Sequence, residues 1–366
     1  MPTTRRHALA LIGSVLAAPA AVRSARAAAD LRIARVAAGL DQPWGLAFLP
    51  DGRFLVTERG GRLNLFTPDG SGRSTVSGTP AVFARGQGGL LDVLVTRDFA
   101  ASRRVWLTWA EPGPGGAATA GGFGRMSQDG ARLDGFTRVH GGPAVAGGLQ
   151  FGARLAEAAD GTVFLTTGDR GQAVLAQDIA RPEGKVLAFG PDGTPRPAPA
   201  FAGPEAVPGL WSIGHRNIQG AALDAEGRLW TVEHGARGGD ELNAPAPGRN
   251  YGWPVISYGV NYDGSRIGEG TARPGLEQPV HYWDPSIAPS GLAIHSGRMF
   301  ADWRGHVLTG SLKFDLIARL DPARGYAETR IETPETARVR DVREAPDGAV
   351  WFLSVDEGAV FRMTPG

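Results

Sequence analysis

The sequence contains no cysteine. Disulfide staples, thiolate metal sites and cysteine nucleophiles are therefore excluded, and stability must come from the packed core. The formal net charge is only +1, which argues against a broad nucleic-acid or membrane footprint. Only one apolar run approaches a targeting or membrane segment, from Ala8 to Val22, and it is too short and too rich in alanine for a permanent span. No H-E-x-x-H or other zinc spacing, G-x-S-x-G elbow, phosphate-binding loop or dinucleotide-binding glycine motif is present. A c-type haem attachment motif is missing as well, so any redox chemistry would pass its electrons to a separate acceptor. Long helical periodicity and low-complexity linkers are also missing.

The apolar run lies in an address signal. Arg5 and Arg6 precede it, and Ala25-Arg26-Ala27 supplies a small-residue cleavage pattern. Residues 1–29 read as a signal peptide, and the arginine pair favours the twin-arginine (Tat) route to the periplasm or exterior. A plain Sec leader with adjacent arginines is the alternative. Residues 30–366 are expected to form one domain, with no stable membrane insertion.

Glycine (54) and proline (27) are abundant, a composition that demands many turns and favours an all-β chain. One unit recurs six times: an apolar strand, a tight Asp-Gly or equivalent turn, and a second β-rich strand. The copies centre on Asp51-Gly52, the Leu91–Thr108 pair of strands, Asp160-Gly161, Glu226-Gly227, Arg304-Gly305 and Asp347-Gly348. Such turns connect antiparallel strands because these residues tolerate positive φ. The spacing is too irregular for a solenoid but suits a propeller, whose blades accept insertions at their ends. The expected fold is a six-bladed β-propeller with four-stranded blades; Arg32–Ala37 is expected to add a strand to the last blade and close the ring. A pair of β-sandwiches is the competing all-β arrangement. Pro112–Gly124, rich in Gly, Pro and Ala, reads as a surface loop.

The polar residues cluster between the repeats. Glu233–Glu241 follows a strand and mixes carboxylates with glycines, which suits a hard cation with carboxylate and carbonyl ligands, or a charged surface turn. His215, Arg216, Asn217 and Gln219 lie between two apolar stretches. Lys313, Arg338 and Arg340 sit at comparable edges of later repeats. If these edges converge, they form a cationic pocket for a small polyanion; otherwise they are scattered surface ion pairs.

Taken together, the motifs resemble the soluble aldose sugar dehydrogenases of the glucose/sorbosone dehydrogenase family, which use pyrroloquinoline quinone (PQQ). The resemblance runs from about Leu40 to the C-terminus. Its ordered matches include Gln42-Pro43-Trp44-Gly45-Leu46, Gly86-Gln87-Gly88-Gly89-Leu90, Thr167-Gly168-Asp169, Gly214-His215-Arg216-Asn217-Ile218-Gln219, Asn250-Tyr251-Gly252-Trp253-Pro254 and Pro285–Gly291. It implies a six-bladed propeller that oxidises an aldose or related alcohol. Gln87, Arg216, Asn217, Gln219, Lys313, Arg338 and Arg340 match positions around the three-carboxylate cofactor. Gly235 and Ala236 match carbonyl ligands of its Ca²⁺, the second often being proline in the family. Glu241 and, through its backbone, Tyr251 match a separate structural calcium site.

The resemblance also implies the chemistry. Calcium polarises the quinone, a histidine takes the proton of the sugar hydroxyl, and hydride passes to the quinone. That histidine precedes a G-x-R-L segment, here Gln150-Phe151-Gly152-Ala153-Arg154-Leu155, so Gln150 occupies its place. The orienting carboxylate is kept as Asp169. A glutamine amide cannot accept the proton, and loss of a general base costs about 10²–10⁴-fold. His140, ten residues upstream, is out of register to replace it. Two readings follow: a PQQ- and calcium-dependent dehydrogenase, or a propeller that binds PQQ or sugar without turnover. A calcium hydrolase of the lactonase type would need a carboxylate-rich central metal site that the sequence does not offer. Tyr282 and Trp283 read either as an aromatic wall for a sugar or as core.

Overall fold

The computed structural model describes residues 30–366; the expected signal peptide lies outside them. Six four-stranded antiparallel sheets follow one another along the chain. Their inner strands are Pro43–Phe48, Leu90–Val95, Gly152–Glu157, Ile218–Leu223, Pro289–Ile294 and Val339–Glu344, which define blades 1 to 6. Leu31–Ala37 pairs antiparallel with the C-terminal strand Ala359–Pro365 and completes blade 6, so the expected ring closure is present. Among the described residues, the one α-helix is the short Phe99–Ser102.

The sequence alternation explains where the core lies. Each blade turns one apolar face toward each neighbour, so packing forms a ring of inter-blade layers. Leu55, Leu65, Leu107 and Trp109 join blades 1 and 2. Trp106, Leu155, Leu165 and Phe189 join blades 2 and 3. Ile317, Ile331, Phe352 and Phe361 join blades 5 and 6, and Phe54, Val56, Trp351 and Leu353 return to blade 1. Burying a side chain of this size is worth about 1.5–3 kcal/mol, and no cysteine is needed to hold such a ring.

The stretch expected as a loop, Pro112–Gly124, is instead mostly strand. Arg104–Gly113 and Gly116–Met126 form a long hairpin, with Ala117, Ala118 and Ala120 buried. Small residues are required here by contact, not by turning. A Cβ on Gly121 would lie 2.0 Å from the Leu165 side chain, and one on Gly122 would lie 2.2 Å from the Thr137 carbonyl oxygen.

Antiparallel order fixes the two faces. Connections between the first and second strands, including the Asp-Gly turns, emerge on one face. Connections between the second and third strands, and from each blade to the next, emerge on the other. On that second face, the inner strand of every blade carries a register shift against its neighbour: Pro43/Leu46, Leu90/Val93, Gly152/Leu155, Ile218/Gly220, Pro289/Leu292 and Val339/Asp341. β-Bulges re-aim side chains. Those within or bounding the shifts include Trp44, Asp92, Arg154, Gln219, Ser290, Arg340 and Asp341, several of which meet around the channel.

Candidate functional site

The sequence-selected residues gather on the face carrying the bulges. Gln87, Gln150, Arg216, Asn217 and Arg338 lie in or at the ends of the blade-to-blade connections, and Gln219 and Arg340 one residue into an inner strand. Asp169, Gly235, Ala236 and Lys313 lie between second and third strands. Tyr251 belongs to the long connection 244–280 of blade 4, which reaches the same face: Tyr251 N donates to Ile213 O (2.8 Å) and Trp253 N to Gly214 O (2.9 Å).

Side-chain bonds link this set across blades. Gln87 Oε1 accepts from Gln150 N at 2.7 Å. Asn217 Oδ1 accepts from Gly152 N and Gln219 Nε2, each at 3.1 Å. Gln219 Oε1 accepts from Arg340 Nη1 at 2.9 Å. Arg338 Nη1 donates to Leu312 O at 2.9 Å, while Lys313 is exposed and reaches Ser286 O at 3.2 Å. Burial, with Arg154, Arg338 and Arg59 nearby, pushes the Arg340 guanidinium down to about 9. Arg59 is pushed down by burial and Arg338. These mutual effects mark a concentration of positive charge in a chain whose net charge is +1.

Arg216 is the most enclosed of the selected cations. Its Nη1 donates to His234 O (3.1 Å) and to Gly235 O, its guanidinium lies 5.2 Å from the Trp253 ring centre, and its Nε is buried without a partner. An unpartnered guanidinium N–H has the chemistry of a carboxylate receptor. The Gly235 carbonyl is turned toward this cluster, as a cation ligand would be.

A small buried cavity lies beside it, lined by Arg216, Glu233, Gly235, Glu241, Tyr251 and Trp253 among others. Glu233 is satisfied by His215 Nδ1 (3.1 Å), Arg216 N (2.6 Å) and Asn243 Nδ2 (2.8 Å). Glu241 has only Asn243 Nδ2 at 3.0 Å, and burial with the nearby Glu233 charge pushes its carboxyl up to about 8. Glu241, an undercompensated carboxylate, fits a hard cation. Ala236 does not line this cavity. Tyr251 stacks on His215 at 4.8 Å, and its hydroxyl donates to Ala244 O at 2.6 Å, leaving only its backbone free to ligate.

Gln150 is half-buried and adopts φ +55°. Its Oε1 reaches toward Gly171, whose N–H donates to Asp169 Oδ1 at 2.9 Å. Asp169 Oδ2 accepts from Trp253 Nε1 at 2.8 Å, and burial pushes its carboxyl up. Gln150 and Asp169 thus share Gly171 as a neighbour. His140 is buried behind Gly168 and Arg170, and desolvation pushes it down to about 4. Next to Gln87 and Gln150 opens a cleft of about 740 Å³ lined by Phe83, Arg85, Pro112, Leu149 and glycine backbone. Of the proposed aromatic wall, Trp283 is core, donating to Glu328 Oε2 at 2.8 Å; Tyr282 is partly exposed and stacks on Tyr258 at 4.0 Å.

Sequence reasoning missed Arg59, Trp253 and Arg154 as contributors. Arg59 follows the second strand of blade 1, a place equivalent to that of Asp169 in blade 3, so the repeat itself carried that signal. Trp253 was part of a recognised motif, but its bond to Asp169 spans distant sequence.

The profile of the family described as Glucose / Sorbosone dehydrogenase matches residues 40–362. The chain is 40% identical over 336 residues to Aldose sugar dehydrogenase YliI of Escherichia coli (strain K12), covering 89% of this chain and 91% of that protein. A crystal structure of a glucose dehydrogenase superposes with a TM-score of 0.86 at 42% identity, over 92% of this chain and 99% of that one. The PQQ-bound form of an aldose sugar dehydrogenase from Streptomyces coelicolor gives 0.74 at 27% identity, over 92% and 98%. The chain belongs to the glucose/sorbosone dehydrogenase family.

Proposed function

We propose that this protein is an exported, PQQ- and calcium-dependent dehydrogenase that oxidises an aldose or related alcohol and passes the electrons to a separate acceptor. The observation that supports the reading is Arg216, whose Nε is buried and unpartnered, on the same face of the ring as Arg338, Arg340 and Lys313. That set suits a flat tricarboxylate better than a neutral ligand.

When bound, PQQ supplies the hydride acceptor and Ca²⁺ the Lewis acid. Arg216, Arg338, Arg340 and Lys313 would hold the cofactor's carboxylates, while Gln87, Asn217 and Gln219 contribute polar contacts. Gly235 and Ala236 would offer carbonyls to the catalytic cation, and Glu241 with the Tyr251 backbone would hold a structural one. Gln150 would hydrogen-bond the sugar hydroxyl without accepting its proton, and Asp169 stays fixed by Gly171 and Trp253. The proposed enzyme therefore runs well below the rate that an imidazole at this place would support.

The test is reconstitution of the purified protein with PQQ and Ca²⁺, following the cofactor spectrum and then dye reduction with a panel of aldoses. Cofactor binding with slow turnover is expected. Binding with none would replace the reading by a PQQ carrier, and absence of binding would overturn it.

A further inference from the structure

Arg154, the arginine of the Gly152-Ala153-Arg154-Leu155 segment, has no role in the chemistry above, yet it is among the largest fully buried side chains of the protein. Its position in the inner-strand bulge of blade 3 aims it into the central channel. There its Nε donates to Gln219 O at 2.6 Å and its Nη2 to Arg340 O at 2.8 Å. Its Nη1 lies 3.3 Å from Asp92 Oδ1 and 3.0 Å from Asp341 Oδ1. The guanidinium covers the Trp44 ring at 4.0 Å. One side chain from blade 3 therefore touches blades 1, 2, 4 and 6.

The ion pairs around Arg154 match in charge. Arg343 also pairs with Asp92 (2.9 Å) and Asp341 (3.0 Å), so two arginines face two aspartates. Buried ion pairs of this kind contribute little net stability, because desolvation offsets their attraction; their better use is to fix geometry. The two carbonyls held by Arg154 belong to Gln219 and Arg340, whose side chains bond to each other at 2.9 Å.

We infer that Arg154 is a positioning residue for the cofactor pocket: its planar fork sets the separation of blades 4 and 6 where Gln219 and Arg340 meet the ligand. The inference rests on the proposed binding of PQQ by those two residues. Lysine keeps the charge but not the fork, so it cannot hold both carbonyls in this geometry.

Three proteins are compared by thermal melting and by spectrophotometric PQQ titration with Ca²⁺ present: wild type, Arg154→Lys, and the charge-balanced pair Arg154→Met with Asp92→Asn. All three are also compared in a background carrying Gln219→Ala and Arg340→Ala. In an otherwise unchanged, folded chain, Arg154→Lys is expected to weaken PQQ binding about ten-fold, the loss of one hydrogen bond from an ionised donor. With Gln219 and Arg340 truncated, the same change should cost nothing more, because the residues it acts through are gone; a merely structural role would cost as much in either background. Undiminished PQQ affinity in a folded Arg154→Lys protein overturns the inference while leaving the dehydrogenase reading intact. Failure of both Arg154 variants to fold would assign the residue to the fold alone and overturn it too. Failure of wild type to bind PQQ overturns the functional reading itself, and the inference falls with it.

Discussion

Replacing Gln150 by histidine should turn a slow enzyme into a faster one. The backbone permits the change: φ at this position is +55°, a left-handed conformation in which histidine is enriched among non-glycine residues. Asp169 is available to orient the ring. Its Oδ1 and Oδ2 accept from Gly171 N (2.9 Å) and Trp253 Nε1 (2.8 Å), and an ionised carboxylate has about four acceptor sites, so capacity for another donor remains. A positioned general base contributes about 10²–10⁴-fold. Because Asp169 is already committed to two donors, the gain expected in kcat is near the lower end, about 10²-fold. The assay is dye-linked aldose oxidation by protein reconstituted with PQQ and Ca²⁺. Cofactor affinity should not change, since Gln150 contributes no charge. The neutral imidazole is the active form, so the variant's rate should rise with pH through an apparent pKa of about 6.5 and then level off, a limb that the wild-type protein lacks. Adding Asp169→Asn should remove much of the gain. A folded, PQQ-loaded Gln150→His protein whose rate stays within about two-fold of wild type would refute the assignment of position 150 as the base site.

Arg216→Ala should weaken PQQ binding about 10–100-fold by titration, because a charge-assisted contact is lost; unchanged affinity would remove Arg216 from the pocket. Chelation of Ca²⁺ from the reconstituted protein should lower its thermal midpoint, and Glu241→Gln should shrink the calcium-dependent part of that shift; an equal shift in the variant would exclude Glu241 as a ligand. His140 is expected to make the protein acid-sensitive. Desolvation lowers its pKa from 6.5 to about 4, with Arg138, Arg170 and Glu183 as the charged groups around it. The unfolded chain therefore binds more protons between those values, and stability falls as pH drops through this window. The loss between pH 7 and 5 is about 2 kcal/mol. Urea midpoints of His140→Phe should fall less over the same range; an identical decline would exclude His140 as the cause.

The propeller was legible because its signals are local and repeated. Asp51-Gly52, Asp160-Gly161 and Asp347-Gly348 each mark a tight turn between a first and second strand, and antiparallel alternation then assigns every other connection to the opposite face. That rule brings Gln87, Asp169, Gly235 and Lys313 together, although more than two hundred residues separate the first from the last. Ring closure by Arg32–Ala37 was expected, and in the structure Leu31–Ala37 supplies the fourth strand of blade 6. Pro112–Gly124 was misread because turn-like composition has a second cause: Gly121 and Gly122 are small to let a blade and a strand approach, which no local pattern reveals.

The partners of the site residues were not legible, and the reason is geometric. Which oxygen meets which nitrogen across the channel depends on the bulges and on the angle between blades. Arg340 finds Gln219, Trp253 finds Asp169, and Arg154 finds the carbonyls of Gln219 and Arg340, each through a neighbour remote in sequence. Matching motifs point to the residues proposed to face the cofactor, since those residues stand in recognisable order. They are silent on the residue that holds two of them apart. Arg154, fully buried and charged, gains little net stability from its ion pairs. Its four-blade reach makes sense if the spacing of the blades is itself what the binding site needs.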